Sequence, residues 1–198
     1  MQINKFTLDN GLRVLHVEDN TTPMVVINTL YVVGSKHENP DYTGIAHLSE
    51  HLMFTGSRNV PSFDELLDNA GASNNAFTTI ERTNYYTVVP RCNVEVAFWA
   101  ESDRMFALNL SDESIETQRS VVIEEFKQRY LNTPYGDSTL LLLREHYKGH
   151  YYEWTPIGKS IKQLEDVSRD IVRDFWRTYY SPNNAILVVA GNISLEDT

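Results

Sequence analysis

A single cysteine, Cys92, means that this 198-residue chain can form no intrachain disulfide. It also excludes a closed structural zinc site of the cysteine-rich kind. Cys92 stands between Arg91 and Asn93 ahead of a helical pattern, with nothing beside it to activate a thiol. Long apolar runs are missing too. None approaches the ~18 residues that a membrane-spanning helix needs. Met1-Gln2-Ile3-Asn4-Lys5 lacks the apolar stretch of a secretory signal, so the expectation is a cytoplasmic or periplasmic protein with no membrane partner. Basic residues are scarce, 17 against 27 acidic, for a net charge of −10. Phosphate neutralisation needs clustered Lys and Arg, so nucleic acid and anionic lipid are excluded as expected partners. There is no internal repeat and no low-complexity segment.

What remains is ordinary globular composition, 41% hydrophobic and 22% charged, and a length suited to one domain. Asn10-Gly11 between two apolar runs predicts a β-hairpin. Met24 to Val33 is a β-branched run, read as a central strand ending at Gly34. Helical spacing covers Thr43 to Phe54, Phe63 to Ala70, a stretch from Asn93, one from Ser111 to about Leu131, Pro134 to Tyr147 and Ser168 to Tyr179. Residues 75–79, 83–89 and 185–190 read as strands. Hairpins mix with helices instead of alternating with them, so the class is α+β with a mostly antiparallel sheet.

Inside the first of these helical patterns, residues 47–51 read His-Leu-Ser-Glu-His. Each helical residue turns by about 100°, so His47, Glu50 and His51 share one face. Two neutral imidazoles one turn apart can hold Zn²⁺, and the carboxylate between them can take a proton from metal-bound water. A catalytic zinc wants a third protein ligand. The helix Glu116–Phe126 offers two adjacent candidates, Glu124 and Glu125, which point about 100° apart, so only one can face the metal. Core-facing positions for Val121, Val122 and Phe126 favour Glu125. The remaining histidines, His16, His37, His146 and His150, have no ligand spacing and are read as surface or structural.

The H-x-x-E-H order, followed by Arg119, Val122 and Glu125 in a stretch like E-R-x-x-V-x-x-E, resembles the pitrilysin/insulinase family of zinc metallopeptidases, the inverzincins, which include the mitochondrial processing peptidases. A third block, Asn75-Ala76-Phe77-Thr78 with Glu81, Thr83, Tyr85 and Tyr86, is similar to the family's N-A-(F/Y)-T-x-x-E-x-T-x-Y-Y segment. The resemblance implies His47, His51 and Glu125 as zinc ligands and Glu50 as general base. It implies Asn75, Ala76 and Phe77 as substrate contacts on an edge strand that pairs with the extended peptide. It points to Glu81 and Gln118 as residues touching the ligand set from outside, Gln118 standing where the family has a glutamate and so lacking its charge.

The resemblance further implies a sheet with helices packed on one face, the fold of a processing-peptidase-like half. Residues 1–198 would form a single catalytic N-terminal metallopeptidase domain, truncated near its C-terminal end. Its expected activity is zinc-dependent endopeptidase cleavage of peptides or unfolded segments by metal-activated water. Its expected partner is a second homologous half, on the same full-length chain or in a dimer, without which cleavage should be slow. The alternative is a non-catalytic substrate-binding subunit of such a peptidase; those normally carry a degraded H-x-x-E-H, and here it is intact.

Overall fold

The computed structural model describes residues 2–198; Met1 of the expected 1–198 domain lies outside them. The frame is one six-stranded sheet. Strands β1 (Asn4–Thr7) and β2 (Arg13–Glu18) form the hairpin at Asn10-Gly11, with Phe6 opposite Val14. β3 (Met24–Tyr31) pairs antiparallel with β5 (Thr83–Pro90), and β5 with β4 (Ser73–Thr78). β6 (Ala185–Gly191) enters between β2 and β3, parallel to the first and antiparallel to the second. The spatial order is therefore β1-β2-β6-β3-β5-β4, which leaves β4 at an open edge.

Alternation along β3 decides which face is covered. Val25, Ile27, Thr29 and Tyr31 are buried, while Val26 on the opposite face is 36% exposed. Against the buried face pack helices α1 (Ile45–Leu52), α2 (Phe63–Asn69), α3 (Val94–Ala107), α4 (Asp112–Phe126), α6 (Ile161–Asp166) and α7 (Arg169–Tyr179). Ser62, Ser111, Ser160 and Ser168 cap α2, α4, α6 and α7, each hydroxyl accepting from the backbone N–H three residues on. α3 places a buried Arg104 over the rings of Phe63 and Tyr85, at 4.2 and 4.6 Å, and pairs it with Glu101. No helix among the described residues is long and apolar enough to cross a membrane.

Element bounds depart from the sequence reading in several places; β3 ends at Tyr31 instead of Val33, and β4 runs Ser73–Thr78 instead of 75–79. α1 is shorter than Thr43–Phe54, because Gly44 sits at φ 90° and starts the helix abruptly. α5 (Ser138–His146) begins four residues later than Pro134, beyond Tyr135 at φ 57°, and none of its residues is buried. α6 has no counterpart in the sequence pattern; six residues are too few to show helical periodicity. The helix containing Glu125 does run on to Leu131, but its last turn, Lys127–Leu131, widens into a π-helix.

Candidate metal centre

α1 buries Ile45, Ala46, Leu48, Ser49 and Leu52, which turns His47, Glu50 and His51 toward the side where α4 crosses. Glu125, at the end of α4, meets them there. Its Oε2 lies 3.6 Å from His47 Nε2 and 3.4 Å from His51 Nε2, and the two imidazole rings stand 4.7 Å apart at 74°. All three donor atoms fall within 4.8 Å of one another. Ligands held at about 2.0–2.1 Å by a tetrahedral Zn²⁺ are about 3.3–3.4 Å apart, so the two nitrogen–oxygen gaps suit a shared ion better than a direct hydrogen bond. Donor type fits as well: two imidazoles and one carboxylate, with a side open.

Electrostatics agree with the donor set. Burial, reinforced by the adjacent His51, pushes the pKa of His47 down, which keeps its imidazole neutral and free to ligate. Glu125 is held below the usual carboxylate range, chiefly by the His51 imidazole beside it. Its other oxygen, Oε1, faces the Arg129 guanidinium at 3.7 Å. Glu124 points elsewhere, 61% exposed and bonded to Lys127 at 2.6 Å. The packing that singles out Glu125 differs in one position from the expected one: Val122 and Phe126 are buried, but Val121 is 45% exposed. His47 Nδ1 is buried and has no protein hydrogen-bond partner among the described residues.

Glu50 stands apart from the three donors. Its Oε2 accepts a hydrogen bond from the Thr78 hydroxyl on β4, and burial raises its pKa against that bond. The edge strand thus touches the site through Thr78, a residue that sequence reasoning does not single out although it ends the N-A-F-T block. Along the same strand Asn75 is exposed and its side chain accepts from the Ala76 N–H at 2.8 Å, Ala76 packs against the core, and Phe77 is 42% exposed. Two further expectations lie away from the donors. Glu81 pairs with Lys36 and accepts from Tyr152 at 3.4 Å. Gln118 is two turns before Glu125, about 10 Å along the helix axis, in a shallow depression with Thr55 and Ser114. His16 is fully buried, its Nε2 2.9 Å from the Ile193 carbonyl, and Cys92 is exposed.

Comparison with known proteins matches residues 13–148 to a family model described as Insulinase (Peptidase family M16), and residues 166–198 to one described as Peptidase M16 inactive domain. The zinc protease PqqE of Helicobacter pylori is 33% identical over 191 residues, covering 95% of this chain and 43% of that protein. The uncharacterized zinc protease YmxG of Bacillus subtilis is 30% identical over 194 residues, 97% of this chain and 47% of that protein. Among solved structures, that of a protease from Helicobacter pylori superposes with a TM-score of 0.93 at 31% identity, over 98% of this chain and 47% of that one. The chain spans less than half the length of these relatives.

Proposed function

The chain belongs to the insulinase family of peptidases, family M16, and from that premise we propose that residues 1–198 are the catalytic domain of a zinc metalloendopeptidase. One observation carries the reading: His47 Nε2, His51 Nε2 and Glu125 Oε2 converge at ligand spacing while Glu50, a fourth ionisable group, stays outside the set and beside an open strand edge. In this reading His47, His51 and Glu125 hold the ion. Bound there, zinc supplies a Lewis acid and a water of near-neutral pKa.

The rest falls to side chains of the domain. His47 stays neutral through its burial, and Glu125 brings the negative charge. Thr78 donates to Oε2 of Glu50 and orients the carboxylate, which takes a proton from the attacking water and returns it to the leaving amine. The raised pKa of Glu50 makes it a better base than a solvated carboxylate. An extended peptide adds to the free edge of β4 at Asn75-Ala76-Phe77, which sets its scissile bond beside Glu50. A second homologous unit, on the same polypeptide or on a partner chain, would form the opposing wall; relatives more than twice as long as this chain support that part of the proposal.

A non-catalytic substrate-binding subunit is the alternative, favoured by the inactive-domain match. That match begins at residue 166, and His47, Glu50, His51 and Glu125 all lie in the segment matched to the insulinase model. The test is elemental analysis joined to digestion of an unstructured peptide library. The proposal expects about one zinc per chain and cleavage that a chelator abolishes and added zinc restores. Zinc bound without any cleavage, alone or with the complementary half, would favour the alternative. No uptake of zinc would remove the site.

A further inference from the structure

We propose that Glu38 is a positioning residue of this centre: it supplies, from outside the helix, the N-terminal cap that fixes the turn of α1 carrying His47. The proposal rests on the zinc reading above and adds to it a residue that touches neither metal nor substrate.

The first turn of a helix presents N–H groups with no partner inside the helix. Ser, Thr, Asp or Asn at the N-cap commonly satisfies them. α1 cannot use that solution. Its N-cap is Gly44, at φ 90° and ψ 3°, with no side chain to offer. A Cβ on Gly44 would lie 2.6 Å from Leu164 Cδ2 and 2.7 Å from the Ile157 carbonyl oxygen, so packing excludes a capping side chain there. Gly44, Ile45 and Ala46 are all buried, which removes water as a substitute.

Glu38 fills the gap. Its carboxylate is buried, 6% exposed. Oε1 accepts from the Ala46 N–H at 2.8 Å, and Oε2 from the Gly44 N–H and from Trp154 Nε1, each at 3.0 Å. The negative group also sits where the helix dipole favours it. His47 follows Ala46 directly and belongs to the same turn. Trp154 then ties the cap to the segment before α6: Lys159 Nζ lies 4.6 Å from the Trp154 ring, and the Lys159 N–H donates to Thr43 Oγ1 at 2.8 Å. Burial pushes the Glu38 pKa up to about 8 against the pull of the Ala46, Gly44 and Trp154 donors; the geometry, three donors and no acceptor on its two oxygens, is the one an ionised carboxylate satisfies.

Glu38→Gln sets an amide NH₂ against one of those donors and leaves it unpaired. Glu38→Asp keeps the charge but shortens the arm by about 1.5 Å, so it cannot serve Gly44 and Ala46 together. Ser62→Ala, which removes the cap of α2, is a control for loss of stability away from the site. Zinc affinity is read by competition with a chromophoric chelator, and amide exchange of residues 45–48 is read without metal. Expected is a loss of affinity on the order of ten-fold or more in Glu38→Gln, a smaller loss in Glu38→Asp, faster exchange in α1 for both, and unchanged affinity in Ser62→Ala. Wild-type affinity and protection in folded Glu38→Gln overturns the proposal; if that variant does not fold, wild-type affinity in Glu38→Asp overturns it. Absence of zinc uptake by the unaltered protein refutes the metal reading instead, and the metal-free exchange still tests the cap.

Discussion

Replacing Glu50 with glutamine separates holding a metal from moving a proton. Thr78 donates to a Glu50 oxygen, and in Glu50→Gln the amide carbonyl can accept the same bond. Glu50 is not among the three converging donors, so zinc content should match that of the unaltered protein. What disappears is a proton acceptor. General base catalysis contributes on the order of 10²–10⁴-fold, equivalent to about 2.7–5.5 kcal/mol of barrier. Stability should move the other way. Burial raises the Glu50 pKa above its ordinary 4.5, so the folded chain holds that proton to higher pH than the unfolded chain does. Ionising Glu50 therefore costs stability as pH rises above about 4.5, and glutamine removes that cost. Glu50→Gln should be at least as stable as the unaltered protein at pH 7–8 (roughly the assay range), with the difference closing toward about pH 4. The assay is zinc analysis and turnover of an internally quenched unstructured peptide on the same preparations, with thermal unfolding of their metal-free forms. Turnover within a few-fold of the unaltered protein at equal zinc occupancy would refute Glu50 as the base. Loss of zinc would refute its separation from the ligands.

Three other outcomes follow from the same geometry. Glu125→Gln should lose zinc by at least about ten-fold in affinity while Glu124→Gln retains it, measured by chelator competition; the reverse would move the third ligand by one residue. Gly44→Ala should lower stability by at least about 2 kcal/mol, with a fall in melting temperature of roughly 4–8 °C or more, through positive-φ strain and the contacts at 2.6 and 2.7 Å, read by thermal unfolding. The His47 pKa is lowered in the fold, so the unfolded chain takes its proton first as pH falls below 6.5; metal-free stability should decline with acidification below that point, and His47→Gln should flatten the decline in urea titrations.

The donor set was legible in the sequence because its parts are local or fixed by helical period. His47, Glu50 and His51 need only the rotation of about 100° per residue, and their spacing survives although α1 is shorter at both ends than its pattern. Choosing Glu125 over Glu124 was harder. Periodicity counts Val121 as buried, whereas it faces solvent and Val122 and Phe126 hold the inner stripe. What could not be read is whatever two distant segments decide together. Thr78 meets Glu50 only because β4 is the edge next to α1. Glu38 looks like a loop carboxylate until Trp154 and the start of α1 close over it. Leu141 and Leu142 of α5 carry an apolar pattern but stay exposed, so hydrophobicity alone overstates their place in the core.

The central position of β6 has a consequence in time. The β1–β2 hairpin joins the sheet through β6, with Arg13 beside Ile186 and Glu18 beside Gly191. The first strands of the domain to leave a ribosome must therefore wait for its last. At about 5–20 residues per second that wait is roughly 10–35 s, during which Leu12 and Val14 lack the part of their core that Val172, Tyr180 and Ala185 supply. β3, β5 and β4 can pair long before, and α1 and α4 exist by then as well. Synthesis thus makes the segments that carry His47, His51 and Glu125 first and closes the sheet afterwards, which leaves the amino-terminal hairpin as the stretch that most needs protection from strand-to-strand aggregation while the chain is being made.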